Sequence, residues 1–137
     1  MNEPATRSSG RVSIDSSVHD LYKQLAEGND PEHVPFHTMK DMFMLAACLG
    51  YRHGQRRPLP RNKRQILHWM QFSDQMDMPI LKAMAIATTG DILILGDLEQ
   101  VFLIAEEYAN AGIEELKMHV LNQPGQPLWN LVELLRS

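Results

Sequence analysis

The sequence predicts a mainly α fold: a compact single-domain bundle of about five to six helices, with a long basic loop and at most one or two short extended segments. Three observations carry that expectation. In DLEQVFLIAEEYANAGIEELKMHVL, Asp97 to Leu121, the residues Leu98, Val101, Phe102, Ala105, Tyr108 and Ala109 recur at helical spacing, and Ile113, Leu116, Val120 and Leu121 resume it after a break. Such recurrence lines one side of a helix with about 3.6 residues per turn. Thr38 to Leu49 is apolar almost all round, through Met39, Met42, Phe43, Leu45, Ala46, Ala47 and Leu49, the pattern of a helix in the middle of a domain. The run Ile92–Leu95 has no clear partner strand and reads as a buried connector.

Taken in order, residues 1–15 are polar and poor in large apolar side chains, so they read as a flexible N-terminal arm, and 16–137 as one helical domain. Ser16 or Ser17 caps a first helix over Val18 to Glu27, and Gly28-Asn29-Asp30-Pro31 stops it. Glu32 to Phe36 carries Pro35 and reads as extended. The central helix over Thr38 to Leu49 is given Gly50 as its stop. Tyr51 to Lys63, YRHGQRRPLPRNK, is a loop that Gly54, Pro58 and Pro60 keep irregular. Arg64 to Phe72 fits a short helix or a strand, and the extended or irregular reading is preferred. Met78 to Thr89 is a helix with Pro79 in its first turn and Gly90 past its end. Asp97 caps the main periodic segment. Asn110-Ala111-Gly112 reads as a hinge that divides this segment into two helices, because glycine costs about 1 kcal/mol in a helix interior. The turn Asn122 to Pro127 leads to a last helix built on Leu128, Trp129, Leu131, Val132, Leu134 and Leu135.

Composition sets limits on function. The 137 residues are enough for one core without staples, since a domain of this size buries about 68% of its unfolded surface. The single cysteine, Cys48, excludes an internal disulfide. No leader-like apolar run and no membrane-length segment is visible, and a cytoplasmic setting is expected. The net charge of −4 does not by itself point to nucleic acid, but its distribution is uneven. Six of the 13 Lys and Arg residues fall between Arg52 and Arg64 with no acid among them, whereas Asp91 to Ser137 holds eight acids against Lys117 and Arg136. That division predicts one positive and one negative surface.

Candidate chemistry is sparse, and no cofactor, metal ligand or catalytic residue is assigned. His33, His37 and His53, with Cys48 nearby, invite a metal reading, but Pro35 breaks the helix that would align the first pair. Glu106 and Glu107 diverge by about 100° on a helix and read as a solvated acidic face beside a buried Tyr108. Cys48 reads as a small core hydrophobe, and the Met residues, Met70, Met76, Met78 and Met84 among them, as core filling. Nucleophile-elbow, P-loop, zincin and dinucleotide fingerprints are absent. The basic loop is the candidate site. Arg52, Arg56, Arg57, Arg61, Lys63 and Arg64 suit phosphate or carboxylate contacts, with Trp69 or Tyr51 available for stacking. Nucleic acid, a partner protein, the chain's own acidic helix and plain solvent all remain open as what this loop faces.

The segments FHTMKDMFMLAACLGYRHGQRRPL, ILHWMQF, the helix ending in ATTGD, and IAEEYANAGIEEL span Phe36 to Leu116. In that order they resemble the small dnd system-associated proteins, encoded near bacterial DNA-phosphorothioation and phage-defence genes. The resemblance implies an accessory protein of a DNA-modification or defence complex and brings no catalytic residue with it. The expected function is a non-enzymatic adaptor that binds other proteins of such a complex, or DNA, through the basic loop. The alternative is a small metal-dependent, nuclease-like enzyme using His33, His37 and His53. A third reading is a homo-oligomer joined through the acidic helix and the Met-rich surface.

Overall fold

The computed structural model describes residues 9–136, and within them the chain forms five α-helices and a two-stranded antiparallel sheet. Strand β1 is Arg11–Asp15 and β2 is Lys63–His68. The helices are α1 His19–Ala26, α2 Met39–Arg52, α3 Asp77–Thr89, α4 Leu98–Leu116 and α5 Pro127–Arg136. A π-helical stretch, Lys117–Leu121, extends α4 toward the turn before α5. The mainly helical bundle expected from periodicity is therefore present.

The centre of the fold is the contact of α2 with α4. Met42, Phe43, Ala46 and Ala47 on α2 meet Val101, Phe102, Ala105 and Ala109 on α4, and all of them are buried. Two glycines set how close the helices come. A Cβ on Gly112 would run into the carbonyl oxygen of Ala46, and one on Gly50 into that of Tyr108. This corrects two expectations. Gly50 does not stop α2, which continues to Arg52, and Asn110-Ala111-Gly112 is no hinge, because α4 passes through it unbroken. The glycines are there for backbone proximity, and the packing they allow offsets their cost in helix propensity.

The sheet corrects the N-terminal arm. Arg11–Asp15 pairs with β2 in the register Arg11↔His68, Val12↔Leu67, Ser13↔Gln65, Ile14↔Arg64 and Asp15↔Lys63, with an irregularity between Val12 and Ser13. Val12, Ile14 and Leu67 are buried in the core, so alternation along the strands gives a core face and an outer face. The apolar content of VSI, two residues within a polar stretch, was too short to stand out. Residues 1–8, the rest of that expected arm, lie outside the described residues.

Other boundaries follow local chemistry. Asp15, not Ser16 or Ser17, caps the first helical turn, accepting from the Ser17 backbone N–H at 2.9 Å. Asp30 and His33 form a turn, with the Val34 N–H donating to Asp30 O at 2.7 Å, where an extended segment was expected. Thr38 caps α2, Asp97 caps α4, and Gly90 closes α3 at a φ of 70°. Ile92–Gly96 is a 3₁₀ turn capped by the Asp91 carboxylate. It is not the buried connector its composition suggested, because Leu93 is 79% exposed. Among the methionines, Met78 and Met84 fill core as expected, whereas Met70 and Met76 face solvent. Trp69, Phe72, Phe43 and Phe102 form an aromatic cluster in which Trp69 stacks on Phe102 at 4.8 Å. α5 is tied back by Trp129, whose indole donates to the Glu32 carboxylate at 3.0 Å.

A divided basic strap as the candidate interface

The basic segment runs from the last turn of α2, along α4, into β2. Its first half is docked on the chain's own acids. The Arg56 guanidinium donates twice to Oε1 of Glu107, from Nε at 3.1 Å and from Nη2 at 2.7 Å, and lies 5.7 Å from the centre of the Tyr108 ring. Arg52 reaches Glu115 at 3.4 Å, where His53 Nε2 also contacts the carboxylate at 2.9 Å. Arg57 stands 4.0 Å from Glu114. Glu107, Glu114 and Glu115 are seven and eight positions apart, two helical turns, so they form one column on α4.

Backbone contacts fix this half further. The Arg57 N–H donates to Glu107 O at 3.0 Å, and Asn110 Nδ2 donates to the carbonyls of Arg57 at 3.1 Å and Pro58 at 3.2 Å. Asn110 is only 7% exposed, so it acts as a clamp inside the helix. The residue read from sequence as helix-ending is needed because the prolines leave the loop carbonyls without regular partners.

The second half is free. Arg61, Lys63 and Arg64 are exposed, and among the described residues no carboxylate lies within 4.0 Å of any of them. Lys63 and Arg64 belong to β2, held by pairing to β1, and Arg11 of β1 is likewise exposed and unpaired with acid. The six cations singled out by sequence thus separate into three that hold the strap and three that present charge outward.

Glu106 does not belong to the solvated face expected of it. It turns toward β1, is 9% exposed, and accepts the Ser13 N–H at 2.8 Å. Burial pushes its carboxyl up to about 7, against the opposing pull of the Ser13 N–H and the Lys63 charge, with Glu107 adding to the rise. The divergence of adjacent helical side chains was legible in sequence; that a strand would lie across one of them was not.

The histidines do not converge. His33 is engaged by Asp30 at 2.6 Å and His53 by Glu115, and among the described residues no three His, Cys, Asp or Glu side chains are grouped to hold a metal ion. Cys48 is half-buried, and burial raises its thiol above the ordinary value, which opposes thiolate formation. The acidic helix offered for self-association is spent on the strap through Glu107, Glu114 and Glu115. Among the described residues no helix is long and apolar enough to cross a membrane.

Comparison with protein families decides the identity of the chain. Residues 11–137 match the family described as DNA sulphur modification system-associated protein 4. The chain belongs to that family. The match takes in β1 and α5, both outside the span that carried the resemblance in the sequence. Searches of curated proteins and of solved structures gave no match. This family member is thus associated, as its family is, with DNA sulphur modification.

Proposed function

We propose that this protein is a non-enzymatic accessory subunit of a DNA sulphur modification or anti-phage defence complex. It engages an anionic companion through Arg61, Lys63 and Arg64, while Arg52, Arg56 and Arg57 hold the strap in position. The observation that carries this reading is the contrast within one segment: cations in contact with their own carboxylates beside cations with no carboxylate within 4.0 Å among the described residues, two of the latter on a hydrogen-bonded strand. A charge held on a rigid element loses less conformational freedom on binding. The first companion is an acidic face of another protein of the complex.

The triple charge reversal Arg61→Glu/Lys63→Glu/Arg64→Glu tests this. All three side chains are exposed, so the unfolding free energy should change by no more than about 0.5 kcal/mol per site, the range of ordinary surface changes. Capture of companion proteins from the native cell should be lost. Capture at the parental level would overturn the reading.

Nucleic acid is the second reading, favoured by Arg11, a further exposed cation of the sheet that borders the same cleft as Lys63. If DNA phosphates are the companion, three neutralised phosphates give a log–log salt slope of about −2.7 on duplex, and the triple reversal should abolish it.

A further inference from the structure

One cleft lies beside the free cations. Its volume is ≈340 Å³, and it is bounded by Arg11, Lys63 and Gln65 of the sheet, by Trp69, and by Glu99, Gln100 and Glu106 of α4. That is within the range of about 300–1,000 Å³ typical of small-ligand sites. Alternation along β1 and β2 sets Arg11, Gln65 and Lys63 on the outer face of the sheet, which is why they share this cleft. Its aromatic border is the half-buried Trp69 ring, backed by Phe102, which stacks on it with an interplanar angle of 6° and is itself only 2% exposed. The Trp69 Nε1–H is buried and finds no acceptor among the described residues. Buried donors of that kind are uncommon in folded proteins.

These groups differ in what they recognise. Arg11 and Lys63 suit phosphate. Gln65 and Gln100 each offer both a donor and an acceptor, and a carboxyl adds acceptor capacity. A free phosphate or an acidic peptide would satisfy the cations and leave Gln65, Gln100 and the Trp69 ring unused. A base carries donors and acceptors on one edge, a ring that stacks, and phosphates on either side. In a duplex that edge is already paired.

We propose that this cleft takes one unpaired base of a single-stranded nucleic acid, its ring against Trp69 and its flanking phosphates on Arg11 and Lys63. The inference rests on the second reading above, that the cations of β2 meet nucleic acid, and specifies a single strand.

Fluorescence anisotropy of the full chain with end-labelled oligodeoxynucleotides tests it. A mixed-sequence single strand should bind about tenfold more tightly than the same sequence as duplex, the scale of one base stacked on an aromatic side chain. A base-free strand of equal length, with phosphates intact, should lose that tenfold. The exposed pair Gln65→Ala/Gln100→Ala should also reduce the preference while leaving the thermal midpoint unchanged. Equal binding of base-bearing and base-free strands overturns the cleft but leaves the cation reading standing. Binding of a poly-glutamate peptide with no binding of any strand does the same. Undiminished binding by the Arg61→Glu/Lys63→Glu/Arg64→Glu variant to every probe overturns the cation reading itself.

Discussion

The two halves of the basic strap have the same chemistry and opposite surroundings. Arg52, Arg56 and Arg57 face a column of glutamates on α4; Arg61, Lys63 and Arg64 have turned past the end of that column and sit on or beside β2, where among the described residues no carboxylate comes within 4.0 Å of them. The difference teaches that a run of cations in a sequence is not one surface. Pro58 and Pro60 carry the chain off the helix, and the position of that departure decides which charges are spent on folding and which stay exposed.

Breaking the support beneath the docked half should have the largest effect. Gly112→Ala forces a Cβ into the Ala46 backbone, and overpacking that backbone cannot relieve should cost about 3 kcal/mol or more. Chemical denaturation should show it, and a variant as stable as the parent would mean that α2 and α4 are not so closely apposed.

The next effect belongs to Glu106, beside the free half. Its folded-state value is raised to about 7. Below the ordinary glutamate range both states hold the proton. As pH rises from there toward 7 the unfolded chain ionises first, so stability should fall across that window by an amount on the order of 3 kcal/mol. Glu106→Gln should flatten the profile and be the more stable form at neutral pH. An unchanged slope of unfolding free energy against pH would place the titration elsewhere.

Asn110→Ala removes the clamp on the Arg57 and Pro58 carbonyls and should cost about 1–3 kcal/mol. It should also raise hydrogen exchange in the strap before it does so in β2. The smallest effect sharpens the contrast directly. Arg56→Ala breaks a two-donor contact to a mostly buried carboxylate and should cost about 1 kcal/mol. Arg64→Ala should leave the unfolding midpoint unchanged and lower companion binding. If the two exchange roles, the division of the strap is wrong.

The helical bundle was legible because α2, α3 and α4 carry periodic apolar residues, with clear caps at Gly90 and Asp97. The hinge at Gly112 and the stop at Gly50 were misread for one reason. A glycine that allows two helices to touch looks the same in sequence as one that ends a helix, and only the partner backbone tells them apart. β1 was missed because its pairing partner lies about fifty residues away and its buried pair, Val12 and Ile14, is too short for a pattern. The candidate site was legible in composition, six cations without an acid, but its division was not, since that depends on which face of α4 the loop crosses. The cleft at Trp69 left no trace in spacing, being assembled from both strands and the start of α4.

A single turn of α4 reaches in four directions: Glu106 to strand β1, Glu107 to Arg56, Tyr108 to the Thr88 hydroxyl at 2.7 Å, and Asn110 to the loop carbonyls. A visitor pressing on the sheet would therefore push against the same few ångströms of helix that anchor the loop. News of its arrival could travel from one side of the protein to the other without any domain having to move.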